Sequence, residues 1–226
     1  MVAEYQQLQI TSETILRAYR LGFFPMGESC DDSTIYWVDP ERRGIIPLSS
    51  FHVPRSVQRT LRRVPFVISV DKSFYDVIQS CARRTPRRPN TWINRQIIEL
   101  YMQLFEAGKA HSIECWSNGI LVGGLYGVTI GAAFFGESMF STVRDSSKVA
   151  LVHLVERLRS GGFRLLDTQF VTDHLRRFGA IEIDREEYLQ MLAVALSEEA
   201  NFYSCDTVKG NGSIVTGGGP VEPLGE

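Results

Sequence analysis

Two strand-like segments of this chain carry acidic side chains among apolar residues. Glu137 lies within FFGESMFS at 134–141, and Asp167 and Gln169 lie within LLDTQF at 165–170. An unpaired carboxylate in an apolar setting is costly or has a raised pKa, so such groups indicate cation binding or proton transfer. Asp167, Gln169 and Glu137 are therefore the candidate catalytic residues.

The spacing of these residues predicts which side chains share a face of the sheet. Residues two apart in a strand project to the same side, so Asp167 should project together with Gln169. Likewise, Glu137 should project with Met139 and Ser141. If the intervening helix connects two neighbouring parallel strands, both polar faces meet in one cleft. The alternative is that Asp167 caps a helix or pairs with an arginine.

Hydrophobic periodicity and turn residues predict an α+β chain in which helices flank a mixed sheet. The predicted helices lie near residues 12–21, 54–63, 94–107, 145–160 and 185–196, with a short one ending at 178. The predicted strands lie near 36–38, 44–48, 66–70, 164–170 and 181–183, with three more between 111 and 140. From residue 111 onward the order is β-β-β-α-β-α-β.

The bulk composition is that of an ordinary globular protein. The chain has 226 residues, 44% of them hydrophobic, and a net charge of only −2, which is enough to build a core. The amino terminus lacks the basic and apolar stretches of a secretion signal. Its four cysteines form no Cys-x-x-Cys pair, so we expect a cytoplasmic, reduced protein with no disulfide framework and no metal site.

One charge-free stretch resembles a membrane span in length. It covers residues 115–136 but contains Ser117-Asn118-Gly119 and several further glycines. Glycines and a turn sequence favour a β-hairpin over a spanning helix. We therefore predict no membrane association.

Six sequence blocks together resemble the bacterial leucyl/phenylalanyl-tRNA-protein transferases. Besides the two acidic segments, these blocks are YRLGFFP at 19–25, WVDP at 37–40, TWIN at 91–94 and GGLYGV at 123–128. The resemblance extends from about Ile10 to Tyr188. It implies that leucine or phenylalanine is moved from aminoacyl-tRNA to proteins beginning with Arg or Lys, which marks them for degradation through the N-degron pathway. It implies no cofactor.

The resemblance also implies a GNAT-like (acyl-CoA N-acyltransferase-like) fold, which the predicted element order matches. We expect a small N-terminal module over residues 1–42 and a GNAT-like catalytic domain over residues 43–200. Residues 201–226 should be a disordered tail, because glycine dominates from residue 206 and hydrophobic periodicity is lost.

Individual roles follow from the same resemblance. The family's matching Asp and Gln are proposed to form a relay that activates the attacking amine, with Gln169 nearest the nucleophile. Independently of the family, a desolvated Asp167 is a candidate acceptor for the proton of the amine. Orientation and the ribose hydroxyl of the tRNA are an alternative source of catalysis. Glu137 should bind a cation, either the acceptor's side chain or the donor's α-ammonium. The residues that match the family's substrate pocket are Met26, Trp92, Tyr101, Leu125, Phe134, Met139, Ser141 and Leu151.

Two positively charged features suit a tRNA backbone. Arg55, Arg59, Arg62 and Arg63 stand at i, i+4, i+7 and i+8, so a helix would present them as one stripe. The helix start at residues 145–148 offers backbone N–H groups and Lys148 as a phosphate site. The alternatives are a solvated helix face and an ordinary helix cap. The four histidines lack metal-ligand spacing and are predicted to be structural.

Three other functions fit parts of the sequence. An acyl-CoA-dependent N-acetyltransferase needs a glycine-rich turn before its helix, but residues 141–148 contain no glycine. A non-catalytic tRNA-binding protein needs the arginines but not the acidic residues. Aminoacyl transfer onto peptidoglycan precursors shares the donor but lacks the motif match. The sequence leaves open the preference between leucine and phenylalanine, the oligomeric state, the tRNA bases read and the natural protein targets.

Overall fold

A computed structural model describes residues 10–63, 66–86 and 88–204. The helices are α1 (Ser12–Arg20), α2 (Arg55–Arg63), α3 (Phe74–Ala82), α4 (Arg95–Glu106), α5 (Ser146–Ser160), α6 (Asp173–Arg176) and α7 (Arg185–Ser197), with a 3₁₀ turn at Leu48–Ser50. The strands are β1 (Phe24–Gly27), β2 (Ile35–Val38), β3 (Arg42–Ile45), β4 (Val67–Val70), β5 (Ala110–Ser117), β6 (Ile120–Ile130), β7 (Ala133–Ser141), β8 (Leu165–Gln169) and β9 (Ile181–Asp184).

The central feature is a seven-stranded mixed sheet with the strand order β4-β5-β6-β7-β8-β3-β9. Every neighbouring pair is antiparallel except β7 and β8, which are parallel and joined through α5. Strands β1 and β2 form a separate antiparallel pair. The predicted α+β architecture, with helices flanking a mixed sheet, is confirmed.

Both faces of the sheet are buried, because helices pack on each side. On one face, Tyr19, Tyr101, Phe135 and Tyr188 belong to a core formed with α1, α3, α4 and α7. On the other face, Phe134 belongs to a second core formed largely by α5. The adjacent residues Phe134 and Phe135 point in opposite directions, as alternation along a strand requires.

Side-chain caps explain the starts of α1 and α4. The Asn94 side chain accepts the Ile97 N–H at 2.9 Å, and the Thr11 side chain accepts the Thr14 N–H at 3.2 Å, so both residues cap their helices. The prediction omitted α3, although its buried Phe74 begins a helical apolar pattern. It also omitted β1, because a four-residue strand containing proline gives a weak signal.

Strands β7 and β8 separate soon after they begin. Their parallel pairing ends at Phe135 and Asp167. Beyond this point β7 stays paired with β6 as far as Ser141, whereas Gln169 on β8 pairs with Gly44 on β3. A gap therefore opens between the carboxyl ends of the two strands, where the sequence placed its cleft.

The first residues of the predicted tail are packed rather than disordered. Phe202 is 5% exposed, and its ring stacks on His111 with a centroid distance of 4.1 Å. The predicted boundary at residue 201 is therefore too early, and residues 205–226 lie outside the described residues.

The charge-free stretch at 115–136 contributes to β5, β6 and β7. Within the described residues, no helix has the length and apolarity needed to cross a membrane.

Gly44 allows β3 to approach the turn that follows β8. A methyl group at this position would lie 2.7 Å from the carbonyl carbon of Phe170, which is backbone and cannot rotate away. We expect Gly44→Ala to lower the free energy of unfolding by about 1–3 kcal/mol, measured by urea denaturation. Gly136→Ala is the control, because its nearest contact would be 3.3 Å away. Equal losses in both variants would show that the Phe170 backbone moves aside.

Candidate active site

A cavity of about 290 Å³ occupies the gap between β7 and β8. Its walls are mainly apolar side chains from β1, β6, β7, α5 and the segment around α6, together with Trp92. The polar groups at its base include Glu137 of β7 and Thr168 and Gln169 of β8. Among the described residues that line the cavity, Glu137 is the only acidic one.

A β-bulge places the Glu137 side chain. Gly127 pairs with Gly136 and Tyr126 pairs with Ser138, so Glu137 has no partner on β6. A bulge redirects the side chains that follow it. As a result Glu137 contacts the core that contains Tyr101, whereas Met139 packs against the opposite core. The predicted common face of Glu137 and Met139 is therefore wrong.

Neutral groups surround the Glu137 carboxyl. Tyr19 donates its hydroxyl to Oε1 at 2.5 Å, and Tyr101 donates to Oε2 at 2.9 Å. The side-chain amide of Gln169 also donates to Oε1, at 3.1 Å. The two tyrosine oxygens are 2.5 Å apart. In the described part of the chain, no arginine or lysine forms an ion pair with Glu137.

This environment changes the proton affinity of Glu137. Burial raises the pKa of its carboxyl to about 7, and the negative charge of Asp167 acts in the same direction. The tyrosine hydrogen bonds and the positive charge of Arg43 oppose this rise in pKa. Because the folded pKa exceeds the ordinary value of 4.5, its contribution to stability is complete below about pH 4.5 and is lost as the pH rises through 7.

Burial has the same effect on the two tyrosines. It raises the pKa values of Tyr19 and Tyr101 well above 10, and the nearby Glu137 carboxylate adds to the rise. Both phenols therefore stay protonated and remain hydrogen-bond donors at neutral pH.

Asp167 is not the unpaired carboxylate that the sequence suggested. It is fully buried, and the guanidinium of Arg43 donates to it from Nε at 3.0 Å and from Nη2 at 2.7 Å. The Tyr188 hydroxyl donates to its Oδ2 at 2.6 Å. Asp167 lies behind the cavity wall and does not line the cavity. Asp167 pairs with an arginine, which was the alternative interpretation of this residue.

Gln169 ends β8 in a strained backbone conformation. Its φ is +56°, in the left-handed region that non-glycine residues rarely adopt. Its backbone N–H donates to Oδ1 of Asp167 at 2.8 Å. The two side chains do not share the cavity as predicted, because Gln169 lines it and Asp167 does not. Such conformations cost roughly 1–3 kcal/mol and need support from surrounding contacts. The Asp167 carboxylate provides that support.

Most of the predicted pocket residues lie around the cavity. The predicted residues that line it are Met26, Trp92, Leu125, Met139 and Leu151. Tyr101 and Phe134 do not line it, because both are fully buried behind the wall. Ser141 lies on the exposed end of β7, where its hydroxyl donates to the Val143 carbonyl oxygen at 2.7 Å. Tyr101 still contributes to the site, because its hydroxyl donates a hydrogen bond to Glu137.

Several site residues were not predicted. Tyr19 was in a quoted sequence block but received no role, and neither Arg43 nor Tyr188 was considered. His174, which was predicted to be structural, lines the cavity. Burial and the positive charges of Lys148 and Arg177 lower its pKa.

Three residues of the cavity wall also carry a buried polar atom that has no hydrogen-bond partner among the described residues. These atoms are the Tyr126 hydroxyl, the Thr168 hydroxyl and Nε2 of His174. A buried polar atom that lacks a partner is costly, and a ligand or a water molecule can satisfy it.

The predicted arginine stripe is exposed on α2. Arg55, Arg59, Arg62 and Arg63 are all exposed, and within the described residues they form no ion pair. Arg59 and Arg63 border a shallow hollow with Arg144. A second hollow is lined by Arg144, Lys148 and Arg177, and it shares His174 with the cavity.

The start of α5 is less open than predicted. Lys148 forms an ion pair with Asp145 at 3.0 Å. The backbone N–H groups of Ser146 and Lys148 already donate to Val143 and Asp145 carbonyl oxygens. The anion site therefore depends on side-chain charge more than on free backbone donors.

Two family models match this chain. The leucyl/phenylalanyl-tRNA protein transferase model covers residues 45–193, and the model of the N-terminal domain covers residues 9–41. The chain belongs to the leucyl/phenylalanyl-tRNA protein transferase family. The family predicted from the sequence blocks is thus confirmed, together with the prediction of an enzyme. Neither acetyl transfer nor non-catalytic tRNA binding is favoured by this membership.

Relatives named leucyl/phenylalanyl-tRNA–protein transferase match nearly the whole described chain. One from Paramagnetospirillum magneticum (strain ATCC 700264 / AMB-1) is 60% identical over 193 residues, which are 85% of this chain and 92% of the relative. One from Rhodopseudomonas palustris (strain BisB18) is also 60% identical over 193 residues, which are 85% and 84% of the two chains. One from Phenylobacterium zucineum (strain HLK1) is 55% identical over 196 residues, which are 87% and 89%.

The transferase family match divides the site between two parts of the chain. Tyr19 lies in the part matched by the N-terminal model, whereas Tyr101 and Glu137 lie in the part matched by the main model. A solved structure of a functionally unknown conserved protein from Staphylococcus epidermidis ATCC 12228 is 10% identical, with a TM-score of 0.40. The aligned region covers 79% of this chain and 66% of the Staphylococcus epidermidis chain. This structural similarity is too low to support an argument.

The raised pKa of Glu137 can be measured directly. In protein labelled with ¹³C at the glutamate carboxyls, the signal that is lost in Glu137→Gln should titrate near pH 7 in the wild type. Tyr101→Phe removes a donor that stabilises the charged form, so the pKa should rise further. Tyr75→Phe, on the exposed face of α3, is the control and should leave the titration unchanged. A Glu137 titration near 4.5 would contradict the proposed effect of burial.

Proposed function

We propose that this chain moves leucine or phenylalanine from aminoacyl-tRNA to the amino terminus of proteins that begin with Arg or Lys. Membership in the transferase family supports the reaction. The observation that carries the proposal is a mainly apolar cavity with a half-buried carboxyl at its base. Such a site has room for an apolar side chain and a polar group beside the reacting atoms.

The reaction is the aminolysis of an ester. The neutral α-amine of the acceptor attacks the ester carbonyl carbon, a C–N bond forms, and the bond to the terminal ribose oxygen of the tRNA breaks. The amine gives up a proton and the leaving ribose oxygen takes one, so no co-reactant is needed. An α-amine has a pKa of about 8, so most of it is protonated at pH 7. The site must therefore hold an ammonium group and remove its proton.

Glu137 suits this task better than Asp167. It lines the cavity and contacts only neutral donors, so its charge is available to a cation. Its pKa of about 7 lies near that of the amine, which allows proton transfer in either direction. Asp167 has both oxygens occupied by Arg43, Tyr188 and the backbone of Gln169. We therefore assign proton acceptance to Glu137 and orientation to Gln169.

The apolar walls account for the proposed donor side chains. Leucine and phenylalanine can enter the cavity, whereas a charged side chain would lose its hydration without gaining a partner. Met26 and Met139 both line the cavity, and each packs against a different core. Their flexible thioether chains allow one cavity to accept both a branched and an aromatic group.

The cationic surface provides a path for the tRNA. The arginines of α2 and the hollow lined by Arg144, Lys148 and Arg177 are linked through Arg144. The hollow shares His174 with the cavity. A tRNA backbone along α2 would thus lead its aminoacylated end towards Glu137. Phosphate contacts of this kind supply affinity without reading bases.

The broader assignments belong to the same proposal. The order of strands β5, β6, β7 and β8 and the gap between the last two support a GNAT-like description of the catalytic domain. The domain boundary near residue 42 is supported by the division between the two family models, at residues 41 and 45. We assign the reaction to the cytoplasm, where aminoacyl-tRNA is made, and the product to the N-degron pathway.

The activity can be tested with labelled leucyl-tRNA and two peptides that begin with Arg or with Ala. We expect transfer to the first peptide only, and a loss of roughly 100-fold or more in turnover for Glu137→Gln, because the amine then lacks its proton acceptor. Glu99→Gln, an exposed residue on α4, is the matched control and should keep full turnover. The absence of transfer to either peptide by the wild type would overturn the proposed function.

The α2 surface can be tested through salt dependence. Replacing Arg59 and Arg63 with alanine should weaken aminoacyl-tRNA binding and leave turnover unchanged once tRNA saturates. The slope of log affinity against log salt should flatten by about one unit for each lost phosphate contact. Arg164→Ala is the control, because this exposed arginine lies beyond the far end of α5, roughly 20 Å along the helix. Equal affinity in the double variant and the wild type at low salt would remove α2 from the binding surface.

A further inference from the structure

Arg43 lies behind the cavity wall and contacts three separate segments of the chain. Its guanidinium donates to both oxygens of Asp167 on β8 and, from Nη1, to the Gly22 carbonyl oxygen at 2.7 Å. It also lies over the rings of Phe24 on β1 and Tyr188 on α7, at 4.6 and 4.5 Å. Arg43 is 1% exposed. One buried cation therefore connects the ends of α1 and β8 with β1 and α7.

Two of these contacts lead to Glu137. Asp167 accepts the backbone N–H of Gln169, whose side chain donates to Oε1 of Glu137 at 3.1 Å. The carbonyl that Arg43 binds follows α1, and α1 carries Tyr19, which donates to the same Oε1 at 2.5 Å. Arg43 thus holds the two residues that donate to Oε1, although it does not itself form a hydrogen bond with Glu137.

We infer that Arg43 is a positioning residue for the transfer reaction and that Asp167 is its anchor rather than the proton acceptor. This inference rests on the proposed function, because the reaction in question is the proposed aminoacyl transfer. Oδ1 of Asp167 is occupied by Arg43 and by the Gln169 N–H, and Oδ2 by Arg43 and the Tyr188 hydroxyl. Neither oxygen is available to a substrate.

The strained turn at Gln169 explains why positioning matters. A residue with φ of +56° returns to an ordinary conformation unless nearby contacts hold it. Removing Arg43 leaves Asp167 as a buried charge without a counterion, so its carboxylate must move or gain water. The Gln169 N–H then loses its acceptor, and the side-chain amide moves away from Glu137. A displacement of about 1 Å at a reacting group can cost roughly 100-fold in rate.

The titration of Glu137 provides a second readout. The charged and titratable groups that affect its pKa are Tyr19 of α1, Tyr101 of α4, Arg43 of β3 and Asp167 of β8. Tyr126 of β6 is also affected by the Glu137 charge. Arg43 is the positive member of this group. Its removal should therefore raise the pKa of Glu137.

The experiment compares Arg43→Met, Arg43→Lys, Asp167→Asn and the double variant Arg43→Met/Asp167→Asn in the full chain. Arg157→Met is the matched control, because Arg157 is also a buried arginine that donates to a backbone carbonyl and lies over an aromatic ring. For each protein, kcat, KM for leucyl-tRNA, melting temperature, hydrogen exchange at the Gln169 amide and the Glu137 titration are measured.

We expect Arg43→Met to reduce kcat roughly 100-fold, with KM for leucyl-tRNA within about twofold of the wild type. Exchange at the Gln169 amide should increase at least about tenfold, since its protection depends on the hydrogen-bonded turn. Glu137 should titrate at higher pH, because a nearby positive charge is removed. Arg43→Lys should recover part of kcat. The double variant should have a kcat no lower than that of either single variant, because both substitutions disrupt the same ion pair. Arg157→Met should lose melting temperature but keep kcat.

Three results would overturn the inference. One is an Arg43→Met variant whose kcat stays within about twofold of the wild type. Another is a double variant whose loss is the product of the two single losses, which would give Asp167 a separate catalytic role. The third is Gln169 exchange that is unchanged in Arg43→Met. If the wild-type protein transfers nothing, the proposed function fails, whereas exchange at the Gln169 amide still tests the positioning.

Discussion

The ion pair between Arg43 and Asp167 is the interaction on which the rest of the site depends. Two opposite charges removed from water gain stability only if the remaining donors and acceptors are also satisfied. Here the Gly22 carbonyl, the Tyr188 hydroxyl and a backbone N–H complete the set. The pair therefore constrains each of those groups in turn, and the carboxylate cannot change place without disturbing the end of β8.

The sheet provides the opening that this pair supports. A parallel strand pair that continued to the end would have closed the sheet between β7 and β8. Instead, the bulge at Glu137 and the strained turn at Gln169 direct two polar side chains towards each other across the gap, where they are 3.1 Å apart. The strands thus position the chemical groups at their carboxyl ends, where regular pairing has stopped.

Much of the fold and part of the site could be predicted from the sequence. The helix starts near residues 12 and 94 and the order of elements after residue 111 follow from local pattern. The meeting of β7 with β8 was predicted only on the condition that the intervening helix joins neighbouring parallel strands, and that condition holds. The direction of Glu137 could not be predicted, because a bulge depends on pairing with β6 and not on the strand's own alternation. The partner of Asp167 was also hidden, since Arg43 lies 124 positions away and has no spacing signal. Contacts between distant residues determine charge pairing, and a single sequence does not record them.

The contribution of α1 to the site has a consequence for how this protein can vary. Tyr19 and the Gly22 carbonyl come from the first family segment, while Glu137, Arg43 and Asp167 lie beyond it. The Tyr19 hydroxyl must fit the Glu137 carboxyl, and the Gly22 carbonyl must fit the Arg43 guanidinium. Exchanging the first forty residues between distant relatives would bring together halves that were never adjusted to each other, so these two parts of the chain are expected to evolve as one unit.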